Sequence, residues 1–359
     1  MKIRRVERLA EALAPAVEEP ARIVPPPTGP PRLWRLIRTG LGVVLLLGLI
    51  YQLGDAAMWR QIISVGWWLP VAMLPYGVFC TLDVIAWRCL IPGGIRPSVG
   101  RLYRIRMAGE SVNDYTPTAT LGGEPYKAYM LHDSGVRMTT AVASIVLART
   151  AVTVGQVLFI VSGFAVLVVH AHLEILWLLV LAILMATAVL FIGALVRWQR
   201  RGLLSAVVRF MRRFVGPRFV GPIWAARSEA VDREVAEVYD RRRRTFALSV
   251  FLHFVSWATG AVELIVFVWL VGGRASWIDL ITIEALNLPL KAAAILIPGT
   301  LGVQEAGGVA AFALLGLDPR LGLAVMLLRR AREVLYGVVG LVMMRSLPQR
   351  AVKTTAAHA

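Results

Sequence analysis

The sequence is short of the residues that most soluble chemistry relies on. Its 359 positions hold two cysteines and five histidines. Cys80 and Cys89 stand nine residues apart in one hydrophobic segment, on different faces of a helix, so neither a disulfide nor a metal site follows from them. Lysine is scarcer than its charge class suggests: there are four, Lys2, Lys127, Lys291 and Lys353. None follows a glycine, which excludes a Walker A loop and with it ATP hydrolysis through a P-loop. No convergent acid, base or metal-ligating cluster is visible, so no enzyme and no cofactor are expected. The N-terminal run M-K-I-R-R-V-E-R-L-A-E-A-L has no apolar core, which excludes a cleaved signal peptide and leaves a cytoplasmic surface helix. Acidic residues number 22 against 39 basic ones, a net charge of +17. In a soluble chain this excess would suggest nucleic acid. Here the arginines gather between hydrophobic segments, where they act as topology signals, and no nucleic-acid partner is expected.

What the chain has in abundance is apolar sequence: 57% of residues are hydrophobic and mean hydropathy is +0.67. Runs of about 20 apolar residues have the length of a bilayer crossing. The fold expected is an all-α polytopic membrane protein. Six spans read at roughly 36–54, 67–91, 139–169, 175–197, 245–271 and 320–345. Two further apolar regions, 99–132 and 278–316, are broken by Gly, Pro and Glu and read as re-entrant helical hairpins. Residues 1–34 form the surface helix and a Pro-rich linker (Val24 to Pro31), 35–346 the membrane domain with an Arg-rich cytoplasmic linker at 198–244, and 347–359 a cytoplasmic tail. Basic residues fall on alternate sides of the six spans, which puts both termini in the cytoplasm. Three spans separate the hairpins, so they enter from opposite sides and the halves form an inverted-topology repeat.

The hairpins carry the site. T-P-T-A-T-L-G-G-E-P runs from Thr116 to Pro125, and I-P-G-T-L-G-V-Q-E from Ile297 to Glu305. In both, an arginine follows the glutamate by 25 positions on the next long apolar segment: Arg149 after Glu124, Arg330 after Glu305. Charge inside a span costs about 2.5–3.5 kcal/mol on insertion scales, so such residues face an interior or a wet cavity. Glu124, Lys127, Arg149, Glu305, Arg329 and Arg330 are the candidate substrate-binding and translocation residues, with Arg332, Glu263 and Glu333 of the same kind. Two readings stand: the guanidiniums fork onto a lipid phosphate, or each Glu–Arg pair fixes a hairpin to its neighbouring span. Tyr126 and Lys127 in the first copy correspond to Ala306 and Gly307 in the second, so the repeat is functionally asymmetric. Gly122, Gly123, Pro125, Pro298, Gly299 and Gly302 are the expected hinge and turn residues.

Other candidates carry less. Asp83 and Arg88 share the second span, where Arg88 reads as snorkelling to the cytoplasmic surface. His170 and His172 read as interfacial polar residues rather than ligands. Within the Arg-rich linker, L-L-S-A-V-V-R-F-M-R-R-F and V-D-R-E-V-A-E-V-Y-D are amphipathic, and at least one of these helices is expected on the anionic inner leaflet.

The runs G-G-E-P-Y-K-A-Y-M-L (Gly122 to Leu131), S-I-V-L-A-R (Ser144 to Arg149) and P-G-T-L-G-V-Q-E (Pro298 to Glu305) resemble the lysylphosphatidylglycerol synthase transmembrane-region family, over residues 35–346. Members are flippase-like and include hopanoid-associated proteins. The resemblance implies a bacterial inner-membrane protein that moves a lipid or lipid-linked molecule between leaflets. The alternative it leaves is a non-transporting accessory subunit of a lipid-synthesis or export pathway. Implied partners are membrane lipids, with a homo-oligomer or a lipid-synthesis enzyme also in view. The short tail after Arg345 leaves no room for the soluble synthase domain of some members, so synthase activity is not expected. Where the family pattern more often has Arg-Glu, this chain has Gln304-Glu305.

Overall fold

The computed structural model describes residues 32–92, 96–115, 122–170, 175–215, 222–293 and 301–347, and among them the regular structure is helical throughout. The N-terminal surface helix, most of the Pro-rich linker and the tail lie outside the described residues.

Helix α1 (Arg32–Leu53) leads through Gly54 to Asp55, whose carboxylate caps α2 (Ala56–Val65) by accepting from the Met58 amide at 2.7 Å. The helical path bends at Gly66 (φ +39°), makes one 3₁₀ turn through Gly66–Trp68, and continues as α3 (Leu69–Ala72) and α4 (Leu74–Leu90). Pro70 and Pro75 fall in the first turns of α3 and α4, where an amide is dispensable. The rest of the chain forms α5 (Val99–Tyr115), α6 (Gly123–Asp133), α7 (Met138–His170), α8 (Ile175–Arg200), α9 (Leu203–Val215), α10 (Pro222–Arg241), α11 (Arg243–Leu270), α12 (Trp277–Ala293), α13 (Val303–Leu314) and α14 (Pro319–Arg345).

Among the described residues, four stretches are long and apolar enough to cross a membrane: Ala56–Leu90, α7, α8 and α11. Two other expected spans are present as helices of a different character. The described apolar part of α1, Gly40–Leu53, is shorter, and α14 carries a cluster of charges along its middle. The second span starts well before residue 67. The segment around Arg60, expected as a loop, is helix α2, because Met58 and Val65 are buried against α13 and α14.

The packing is reciprocal. Helix α4 lies along α11; α5, which opens the first motif, lies along α14; and α12, which opens the second, lies along α7. The contacts depend on small residues that admit close backbones. A β-carbon at Gly123 would sit 2.1 Å from the Gly109 carbonyl oxygen of α5, and one at Gly340 would sit 2.0 Å from Ser111 Oγ. Ser111 in turn donates to the Gly337 carbonyl of α14 at 3.0 Å. The pairs α5–α6 and α12–α13 occupy the regions read as hairpins. Their turns, residues 116–121 and 294–300, lie outside the described residues, as do the expected hinges Pro298 and Gly299.

Helix α8 stands apart: Gln199 is its one buried residue, a stripe from Leu181 through Leu184, Ala188 and Ile192 to Leu195 is half-buried, and most of its other apolar side chains face outward. Such a surface is stable only in an apolar solvent. The described residues of the Arg-rich linker are mostly helical, with α10 docked on the body through Val231, Val235, Val238 and Tyr239 against Leu90, Ala143, Leu147 and Ala151.

Candidate functional site

Both motif glutamates stand in the first turn of a short helix, where the unpaired amides favour a negative charge. Glu124 opens α6, after Gly122 and Gly123 and with Pro125 in the same turn. Glu305 opens α13, and its Oε2 accepts from the Gly302 amide at 2.7 Å. Gly302 itself has φ +77°, a conformation that favours glycine, and a β-carbon there would meet the Gly42 carbonyl of α1 at 2.3 Å.

The matched 25-residue spacing becomes a matched contact. Arg149 Nε on α7 lies 3.2 Å from Glu124 Oε1, and Arg330 Nη2 on α14 lies 2.6 Å from Glu305 Oε1. The surroundings of the two pairs differ. In the first, Lys127 Nζ is held between Glu110 Oε1 at 2.5 Å and Glu124 Oε1 at 3.2 Å, while the Arg149 side chain is 46% exposed. Asn113 links the helices by accepting from the Gly123 amide at 2.7 Å. Two carboxylates thus face two cations, one of which reaches into open space.

The second pair is the end of a continuous chain of alternating charge. Arg330 Nη1 contacts Glu333 (2.9 Å), Glu333 contacts Arg332 (3.4 Å), Arg332 and Arg329 both contact Glu263 Oε2 (3.0 Å each), and Arg329 contacts Glu284 (2.8 Å). Seven side chains from α11, α12, α13 and α14 are joined in this way. Gln304 adds a bond to Glu333 at 3.1 Å, and the Tyr76 ring of α4 lies 4.0 Å under the Arg332 guanidinium. Arg329 and Arg330 are sequence neighbours with different partners, because adjacent positions on a helix point about 100° apart.

A third buried group lies between α4, α5 and α11. Asp83 pairs with Arg106 and also approaches His253 Nδ1 at 3.1 Å. The sequence set Asp83 beside Arg88. The fold separates them: the Arg88 Nε donates to the Pro97 carbonyl at 3.1 Å, at the end of its helix. Glu110, Glu284 and Arg106 were not among the sequence candidates. Glu284 had a usable signal, as a carboxylate inside the apolar run W-I-D-L-I-T-I-E-A-L. Glu110 and Arg106 lie in the first hairpin region among Arg101, Arg104 and Asp114, so neither stood out from its neighbours.

The family described as Lysylphosphatidylglycerol synthase TM region matches residues 35–340. A UPF0104 membrane protein of Pyrococcus horikoshii is 23% identical over 309 residues, covering 81% of this chain and 90% of the relative. No solved structure matches the chain.

Proposed function

Since the chain belongs to the lysylphosphatidylglycerol synthase TM region family, we propose that this membrane protein moves a lipid or lipid-linked molecule between leaflets, with no chemical step of its own. The observation that carries this reading is the pair of Glu–Arg contacts at corresponding places in two reciprocally packed halves, one closed and one with its arginine half open. Broken helices in matching positions mark the binding site of repeat-built transporters. The Arg149 guanidinium offers a phosphate group a two-pronged contact while Glu124, itself held by Lys127, keeps it in place. In this reading the halves are an inverted repeat of six spans and two re-entrant hairpins, set in a bacterial inner membrane with both termini cytoplasmic. The closed chain from Glu305 to Glu284 then acts as the rigid wall against which the first hairpin works.

The test is a headgroup-accessibility assay in proteoliposomes, with dithionite quenching of a fluorescent anionic phospholipid. Movement by the wild type, and its loss in Arg149→Gln and Glu124→Gln with folding intact, is the expected result. A wild type that is folded and moves no lipid favours the second reading, an accessory subunit of a lipid-synthesis or export pathway. That reading draws on the second cluster, whose arginines are each engaged by carboxylates.

A further inference from the structure

Helix α9 has a face that is left exposed among the described residues. It starts directly after α8, at Gly202 (φ +89°), and is fastened by its first turn only. Asp232 of α10 accepts from the Leu204 amide at 3.1 Å, from the Ser205 amide at 2.8 Å and from the Ser205 hydroxyl. Leu204 packs into the cluster around Val231 and Val235. Beyond this turn Val208 stays half-buried and the other described side chains leave the body. Val207, Phe210, Met211 and Phe214 recur at helical spacing and are all exposed, Phe214 by 70%. The Phe210 and Phe214 rings lie 4.4 Å apart and form a continuous apolar ridge. Arg209, Arg212 and Arg213 occupy the remaining circumference, also exposed.

We infer that this ridge is a docking surface for anionic phospholipids, with the rings seated among acyl chains and the three arginines at the headgroups. A helix with this division of faces lies in the plane of an interface. Its position agrees: α8 delivers α9 at a helix end marked by Arg197, Arg200 and Arg201, and the exposed Trp198 and Trp224 flank it on α8 and α10. A second copy of the chain fits the same ridge poorly, because it would bring two sets of arginines together. Of the two amphipathic stretches in the linker, α9 is therefore the membrane-facing one, and α10 is the strut that ties it to α7. Nothing in this assignment depends on lipid transport.

Met211→Cys in a Cys89→Ser background places a nitroxide on the ridge of the full chain, since Cys80 is buried. Accessibility to oxygen and to a water-soluble nickel chelate is then compared in nanodiscs of phosphatidylcholine with and without phosphatidylglycerol. The expected result is strong oxygen contact and nickel exclusion that deepen with phosphatidylglycerol. Replacing Arg209, Arg212 and Arg213 by Gln is expected to weaken partitioning by about five-fold per charge removed. A label exposed to the nickel chelate in both discs overturns the proposal. So does burial that ignores both lipid charge and the arginines, and so does spin–spin broadening with exclusion of both reagents, which would place a second copy on the ridge.

Discussion

Glu263 is 1% exposed and carries two guanidiniums on one oxygen, which makes it the residue on which the buried charge chain turns. Glu263→Gln leaves Arg329 with Glu284 and Arg332 with Glu333 at 3.4 Å, so what is lost is the charge assistance of the Glu263 contacts, where a hydrogen bond to a charged group is worth about 1.5–3 kcal/mol. A loss of that order, read as a lower unfolding temperature in detergent, is expected. Arg330→Lys keeps the charge but cannot fork onto Glu305 and Glu333 together, so a loss of about 1.5–3 kcal/mol is expected in the same assay. Arg149→Gln separates the two roles. Its side chain is half open with one carboxylate contact, so stability should change by at most about 1 kcal/mol while lipid movement is lost. The two Glu–Arg pairs were legible in the sequence because each glutamate follows a glycine break and each is followed, 25 positions later, by an arginine on the next long helix. The chain that continues from Arg330 was not. Which carboxylate meets Arg329 is set by the packing of α11 and α12 against α14, and neither helix carries a spacing that announces it.

At the level of the helix, α6 is positioned by Gly123, where even a methyl group would collide with the Gly109 carbonyl. Gly123→Ala should therefore prise α6 from α5 and cut the yield of monodisperse protein. Gly48→Ala on α1 meets nothing within 4 Å and should be neutral or stabilising by about 1 kcal/mol. The pair of variants, compared by size-exclusion profile, separates packing from helix propensity. Helix ends were readable to within a few residues for α7, α8, α11 and α14, because long apolar runs bounded by Arg leave little choice. Helix α2 was missed. Gly54 and Asp55 look like a loop, and Arg60 looks like its charge, until the cap at Asp55 and the burial of Met58 are seen. The docking of α10 was hidden for a related reason: its apolar face at Val231, Val235, Val238 and Tyr239 fits a protein groove as well as a bilayer.

Among the described residues, the buried charged groups lie on α5, α6, α11, α12, α13 and α14, and α8 with α9 is carried outside this body. A buried tie helps to hold the end of α8, beside the exposed Arg200–Asp240 pair: Gln199 donates to Thr150 Oγ1 at 2.7 Å and accepts from the Tyr239 hydroxyl at 2.5 Å. This joins α7, α8 and α10 one residue from Arg149. Gln199→Leu should release that end of α8, seen as faster proteolysis at Arg200 and Arg201 with the unfolding temperature of the body little changed. Most of the rest of α8 is exposed apolar surface, and this bears on how the chain is free to vary. A position whose only requirement is to be apolar accepts Leu, Ile, Val, Phe or Met alike. In a saturation library, α8 should tolerate such exchanges almost everywhere, whereas α7, equally hydrophobic to the eye, should reject them at Ala143, Leu147, Ala151 and Gly155, where another helix sets the size.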